Sequence, residues 1–220
     1  MLASKKLYAV AFGLTACLSL MPANAASKKL TPDQALELLM EGNDHFIRGV
    51  DTHPSYAAEA RDKMLEKQTP FAAIFSCSDS RVPPEIIFDR GLGDLFVVRD
   101  AGNVVGPIEM DSVEFAVASL KVPLVVVMGH QNCGAVSATL AGKDNVPELE
   151  NILPLIDDAL KNCDTIGANA LVNAIRCNVK RGVDTLKQSP SIAPILARKK
   201  VKVVGAYYHI DTGRVELIAD

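Results

Sequence analysis

Four short, predominantly apolar runs constrain this chain more than any other feature: residues 71–76, 94–99, 122–128 and 201–208, the second flanked by Asp94 and Arg99 and the fourth carrying Lys202. A strand with one wet face alternates apolar with polar side chains, whereas a predominantly apolar run belongs to a strand covered on both faces. Helical periodicity fills the intervals. Thr31-Pro32-Asp33-Gln34 reads as a capping box with Pro at the first helical position, and Ala35, Leu36, Leu38, Leu39 and Phe46 give a helix over 32–48 its apolar face. Val113, Ala116, Val117 and Leu120 do the same over 107–120, and a helix opens near Cys133. Residues 147–161 and 165–187 read as helices broken near Gly167. Asp211-Thr212-Gly213 turns the chain into a final strand over 214–217. The pattern predicts an α/β fold: a mainly parallel sheet of about four strands plus an antiparallel edge strand, with helices on both faces.

The first twenty-five residues stand apart from that pattern. Lys5 and Lys6 precede an apolar run over 7–20, and Ala23-Asn24-Ala25 is a small-residue cleavage signal, so residues 1–25 are expected to be an export leader cut after Ala25. The apolar run is too short, and too soon interrupted by Pro22, for a stable membrane anchor. Leu14-Thr15-Ala16-Cys17 offers a different processing, as a lipoprotein modified on Cys17, but the residues after Cys17 stay apolar through Met21. The expected location is periplasmic or secreted, with residues 26–220 forming a single domain. Loss of Lys5 and Lys6 takes the formal charge from −3 to −5. A mildly acidic chain with no Lys/Arg block, 5% aromatic residues and no Trp has neither the electrostatic footprint nor the stacking platforms of a nucleic-acid binder.

Chemistry concentrates in two strings, each at the end of a predicted strand: Cys77-Ser78-Asp79-Ser80-Arg81 and His130-Gln131-Asn132-Cys133. Two thiols, an imidazole and a carboxylate suit Zn²⁺, a borderline-soft ion that takes S, N and O ligands tetrahedrally. A structural zinc is usually closed by Cys and His alone. Here the fourth candidate is Asp79, which Arg81 can hold by a charge-assisted bond, leaving a position open for water. A helix beginning at Cys133 would favour its thiolate. Four cysteines in an exported chain also suggest disulfides, yet a Cys77–Cys133 bridge has no use for the neighbouring Asp79 and His130. Cys163 and Cys177 would lie about 21 Å apart along one helix, against the roughly 4.4–6.8 Å a disulfide spans. They are expected to stay unpaired even with a break near Gly167.

Taken together, these residues resemble the β-class carbonic anhydrases. The resemblance rests on Leu39-Met40-Glu41-Gly42-Asn43, Cys77-Ser78-Asp79-Ser80-Arg81-Val82-Pro83-Pro84-Glu85, Phe96-Val97-Val98-Arg99, Gly129-His130, Cys133-Gly134-Ala135 and Gly205 with Tyr207. It implies Zn²⁺ on Cys77, His130 and Cys133, with water or, in a closed state, Asp79 as fourth ligand. It also implies that Asp79 and Arg81 form a catalytic dyad beside the zinc-bound hydroxide that converts CO₂ reversibly to bicarbonate and a proton. Two departures stand out. Gln131 replaces the Ser or Thr often found after the ligand histidine, and Ile74 stands where one branch carries a Trp belonging to a noncatalytic bicarbonate site.

Gly102, Asn103 and Gly134 are candidate substrate-cleft residues, although turn chemistry alone would also select the glycines. His45, His53 and His209 read as packing or solvated residues. Two thiolates neutralise much of the ion's charge, so a working pH above that of a three-histidine site is expected. The same fold and metal would also suit hydrolysis of CS₂ or COS, and a zinc-bearing scaffold would bind metal without turnover; the intact Asp79–Arg81 pair favours an enzyme. A homo-oligomer, a dimer or a multiple of one, is expected. The first helix is apolar on one side and tethered by a polar stretch over 51–68, so it can bury that side on a neighbour. The resemblance points the same way.

Overall fold

A computed structural model describes residues 29–50, 52, 61–62, 64–142 and 146–220; the expected leader over 1–25, with Cys17, and His53 lie outside the described residues. The elements follow in the order α1 (Pro32–Ile47), β1 (Ala72–Cys77), α2 (Pro84–Ile87), β2 (Leu95–Asp100), α3 (Pro107–Ala118), β3 (Leu124–His130), α4 (Gly134–Ala141), a 3₁₀ turn (Pro147–Leu149), α5 (Leu153–Leu160), α6 (Ala170–Lys187), α7 (Ala193–Ala197), β4 (Lys202–Tyr208) and β5 (Val215–Ala219). The sheet runs β2-β1-β3-β4-β5, with the first four strands parallel and β5 antiparallel to β4. This is the predicted α/β architecture. The two short helices α2 and α7 are additional, since neither is long enough to show a helical period.

Every residue of β1 and β3 is buried. Alternate side chains feed two cores. Ile74, Val126, Met128 and Val204 meet Ala35 and Leu39 of α1 and Ile87 next to Phe88, whereas Ala73, Phe75, Val125, Val127 and Val203 meet Val113 and Val117 of α3 and Val179 and Val183 of α6. Each fully buried aliphatic or aromatic side chain contributes about 1.5–3 kcal/mol. β2 is an edge strand and only half-buried.

The capping box of α1 is present, with the Gln34 N–H on Thr31 Oγ1 at 3.2 Å and the Thr31 N–H on Gln34 Oε1 at 3.0 Å. The helix docks on its own sheet. Ala35 and Leu39 are buried there, and Leu36, Met40 and Phe46 pack at the margin. Part of its apolar side is thus spent on the chain's own sheet, while Leu36, Leu38, Met40 and Phe46 stay only partly covered. Two residues of the Gly42-Asn43 pair explain the docking. A Cβ at Gly42 would sit 1.8 Å from the Phe88 carbonyl oxygen, so only glycine lets α1 approach α2. Asn43, buried, donates to Ile87 O at 3.1 Å and Gly213 O at 2.8 Å and accepts from the Val215 N–H at 2.9 Å, stapling α1 to both α2 and the β4–β5 hairpin.

Cys163 and Cys177 form a disulfide, with Cα atoms 6.2 Å apart, which overturns the expectation that they stay unpaired. They do not share a helix. α5 ends at Leu160, the chain reverses through Gly167 at φ +78°, and α6 returns past the end of α5. Asn173 of α6 donates to Asp164 O at 3.0 Å, holding the reversal closed. The sequence separation is 14 residues, and closing a loop of that size stabilises a fold by about 3 kcal/mol through the unfolded state. Replacing both cysteines by Ala is expected to lower the free energy of urea unfolding by about that amount, while peptide mapping of the unreduced wild-type protein yields the linked pair.

Candidate metal centre

β1 and β3 are adjacent and parallel, and β2 lies on the far side of β1, so the chain order reverses between them. Open α/β sheets place ligands in the crevice at the carboxyl ends of strands at such a point. Cys77 ends β1 and His130 ends β3. The arrangement follows from register alone.

Beyond Cys77 the chain turns tightly, the Val82 N–H returning to Asp79 O at 3.0 Å, while Val82 is buried in the α1-side core. Arg99, at the end of β2, clamps this turn: its Nε donates to Cys77 O at 3.0 Å and its Nη2 to Asp79 O at 2.7 Å. Pairing with β2 continues one step past the strand, the Ser78 N–H meeting Asp100 O at 2.6 Å. On the other side, Asn132 takes φ +56° and delivers Cys133 as the N-terminal cap residue of α4. Gln131 ties this second turn to the hairpin: its N–H donates to Tyr208 O at 2.9 Å and its Oε1 accepts from the Asp211 N–H at 3.1 Å. The Gln that departs from the usual residue after the histidine is therefore a brace.

Cys77, His130 and Cys133 are all buried, and their ligating atoms lie within 4.8 Å of one another. His130 Nδ1 is 2.9 Å from Gln131 O, which fixes the proton on Nδ1 and leaves the Nε2 lone pair free. That Nε2 is buried without a hydrogen-bond partner. A buried polar atom left unpaired costs free energy; beside two sulfurs, a metal ion would satisfy it. The two thiols oppose one another. Cys133 as a donor holds the Cys77 thiol below its ordinary range against the opposing effect of burial, and the Gly102 and Asp79 N–H groups add to it. The Cys133 thiol is driven upward by Cys77 and by burial. A cation beside the pair would favour both thiolates.

Asp79 stands beside this cluster and faces Arg81. Arg81 Nε and Nη2 reach the two carboxylate oxygens at 2.9 and 2.7 Å, and the Arg81 backbone N–H adds a bond of 2.9 Å. These bonds, the guanidinium's foremost, hold the Asp79 carboxyl well below the usual carboxylate range. Its Oδ2 is nevertheless 3.9 Å from His130 Nε2. The carboxylate is thus parked against arginine within reach of the metal position.

The three cleft candidates separate. Gly102, at φ +90°, points its N–H at Cys77 Sγ, 3.3 Å away, and a Cβ there would press on Ala135 and Ile156 at 3.0 Å. Asn103 is buried with its amide unpartnered and lines a polar cavity of about 110 Å³ with Asn178, Asp158 and Arg181, apart from the sulfurs. Gly134 is exposed on the first turn of α4, with open space where a Cβ would lie. Asp100 ends β2 with Oδ1 on the Val104 N–H at 3.0 Å, and burial pushes its carboxyl up to about 7. His45 bonds Asp89 at 3.0 Å and His209 bonds Glu216 at 3.1 Å; neither reaches the cluster.

Two residues that shape the site were not singled out from sequence. Arg99 entered only as the last residue of the Phe96-Val97-Val98-Arg99 string, with no role attached to it. Asn178 left a clearer signal, because it occupies the apolar stripe of α6 between Ala174 and Gly182. Buried, it donates to Gly102 O at 2.7 Å and thereby holds the peptide whose N–H meets Cys77.

The carbonic anhydrase family model matches residues 72–215. A carbonic anhydrase of Mycolicibacterium smegmatis is 41% identical over 191 residues, covering 84% of this chain and 93% of the relative. Carbonic anhydrase 2 of Mycobacterium tuberculosis is 37% identical over 198 residues, covering 84% and 92%. Among solved structures, a tetrameric β-carbonic anhydrase of Sordaria macrospora superposes with a TM-score of 0.67 at 29% identity, covering 72% of this chain and 85% of the other. The Coccomyxa β-carbonic anhydrase solved with acetazolamide gives 0.66 at 28% identity, covering 71% and 75%. With its parallel sheet and Cys/His/Cys cluster, the chain belongs to the β-class carbonic anhydrase family and is a carbonate dehydratase.

Asn178→Ala orphans the buried Gly102 carbonyl, at a cost of about 1–3 kcal/mol. Supports behind a metal ligand are commonly worth about 10–100-fold in affinity, so chelator competition should show metal held at least about 10-fold less tightly. Unchanged affinity would mean that Gly102 keeps its N–H on Cys77 unaided.

Proposed function

We propose that the metal is Zn²⁺, held by Cys77 Sγ, His130 Nε2 and Cys133 Sγ, and that Asp79 and Arg81 carry the reaction CO₂ + H₂O ⇌ HCO₃⁻ + H⁺. The observation that carries this reading is the unpartnered Nε2 of His130 buried between two thiols. Zinc in such a site acidifies water to a pKa of about 7 and so supplies the nucleophile at neutral pH. The protein supplies orientation. Asp79, kept ionised by Arg81, is a hydrogen-bond acceptor at any working pH, so it holds the attacking oxygen's hydrogen and leaves a lone pair facing CO₂. Arg81 Nη2 also reaches Asn132 O at 3.5 Å, which positions the dyad over the second turn. When Arg81 lets go, Asp79 Oδ2 has only a short distance to travel to become the fourth ligand. Asp79 is thus both the orienting group and the means of closing the site.

Asp79→Ala is expected to retain zinc while losing about 10²–10⁴-fold in turnover, the usual range for such groups. Cys77→Ser should lose metal as well. Zinc content measured beside the rate of CO₂ hydration across pH separates the two. Equal zinc loss in both variants would make Asp79 a structural ligand and sink the dyad.

We further propose export to an oxidising compartment, periplasmic or secreted. The basic, apolar and small-residue succession over 1–25 supports it, and so does the Cys163–Cys177 bridge, since disulfides persist in oxidising surroundings. The working unit is a homo-oligomer. With α1 docked on its own sheet, the support comes from the open edge: Phe96 on half-buried β2 packs on Phe115 of α3 with ring centroids 6.2 Å apart, and Phe115 and Ile108 remain exposed. The Sordaria enzyme it resembles is tetrameric. Phe115→Glu should reduce the particle mass seen by light scattering, whereas a wild-type protein that is already a monomer would rule out the assembly.

A further inference from the structure

Parallel strands sort their connections. Segments that lead into β1, β3 and β4 lie at the amino end of the sheet, opposite the metal centre at the carboxyl ends. In this chain those segments are basic. Lys67 precedes β1, Lys121 precedes β3, Arg198, Lys199 and Lys200 precede β4, and Lys29 leads into α1. All six are exposed. They line two adjoining cavities of about 530 and 490 Å³, which share Lys29, Leu30, Lys121 and Pro123 and have no acidic side chain in their walls. Among the described residues none of the six forms an ion pair; Lys121 instead donates to Ala118 O. Asp33 and Asp220 line a separate depression with Lys187 and Lys202, and Lys202 is paired with Asp33. Glu66, beside Lys67, and Asp94, before β2, belong to the same end of the sheet but line neither cavity.

The floor between these cations is apolar, built from Leu30, Val117, Val122 and Ile195. Leu65, 82% exposed, stands two residues before Lys67. Charged rims around apolar ground match the interfacial region of an acidic bilayer, where phosphates meet ammonium and guanidinium groups and side chains enter the acyl boundary. They match nucleic acid poorly. Phe71, the aromatic ring in the walls, is already covered by the Arg90 guanidinium at 5.7 Å, so no free platform for a base is offered. Residues 1–28, with their apolar run, join the described chain at Lys29, inside this same surface.

We propose that the basic amino end of the sheet is a peripheral docking surface for a bilayer of anionic phospholipid. Bound in this way, the protein presents its metal centre to the aqueous side, away from the lipid. The contact is reversible and electrostatic. No helix among the described residues is long and apolar enough to cross a membrane, and attraction of this kind is screened over about 10 Å at 0.1 M salt.

The test is co-sedimentation of the full chain with vesicles of phosphatidylcholine alone and of phosphatidylcholine mixed with phosphatidylglycerol. Wild-type protein should partition onto the anionic vesicles at least about 10-fold better at low salt and lose that preference at high salt. The variant R198E/K199E/K200E should lose the preference while CO₂ hydration and metal content stay at wild-type values, because these residues lie at the end opposite the site. Lys29→Glu with Lys67→Glu repeats the test on different segments should the triple variant fail to fold. Residues 1–28 are common to all of these proteins, so any binding they cause cancels in the comparison. Equal partitioning on both vesicle types, or an unchanged preference in both variants, overturns the proposal. So does protein that ignores anionic vesicles yet binds inorganic phosphate or duplex DNA at this surface, because the occupant is then a soluble anion.

Discussion

The parallel pairing of β1 with β3 is the constraint on which the rest of the molecule depends. It sets Ile74 beside Val126 and Ser76 beside Met128, so that the two chains leave the sheet side by side, one delivering Cys77 and the other His130. A slip of one residue would exchange the faces of every side chain on the strand and bury neither core correctly. Gly129 shows how tightly the register is held. A Cβ there would lie 2.7 Å from Val179 and 2.9 Å from Ile175, so α6 can press on β3 next to the ligand histidine only because that position is bare. The geometry of the candidate metal centre is thus a by-product of packing the sheet, which keeps the two thiols beside His130.

Much of this was legible in the amino-acid sequence, for identifiable physical reasons. Predominantly apolar runs have one low-energy use in a soluble domain, as strands covered on both faces, and β1 to β4 lie within two residues of their predicted ends. Thr31 and Gln34 marked the start of α1 because their bonds are local. What depends on distant contacts was not legible. Whether α1 docked at home or abroad turned on the fit of Gly42 against Phe88 and on Asn43 reaching residues 87, 213 and 215. The disulfide was missed for a similar reason. A helical pattern reports axis and face but not the angle at a break, and the reversal at Gly167 folds α6 back past Cys163.

At the candidate site, the sequence displayed the reactive groups and concealed those that hold them. Cys77, Asp79, Arg81, His130 and Cys133 announce themselves by type and spacing, because a metal and a charge-assisted pair need those atoms. Their supports are mostly backbone: Gly102 N–H on Cys77 Sγ, Gln131 O on His130 Nδ1, and the carbonyls of residues 77 and 79 under Arg99. Backbone groups are present at every position, so no residue type marks which of them is used. Asn178 is the exception that a polar residue on an apolar helical stripe makes possible.

α6 links these observations. Ile175 and Val179 fill the space beside Gly129, Asn178 holds Gly102, and Gly182 lets the helix lie on Val127, whose methyl would be 3.1 Å from a Cβ there. Cys177, within that same stretch, is bonded to Cys163 beyond the end of α5, and α5 places Ile156 against Gly102 from the other side. The disulfide therefore closes a frame whose opposite member is the Gly102 peptide, one hydrogen bond from Cys77. The basic cavities lie at the amino end of the sheet and the candidate metal centre at the carboxyl end, and this frame belongs to the latter. The site's supporting structure and the basic surface share no side chain, which allows each to vary without disturbing the other.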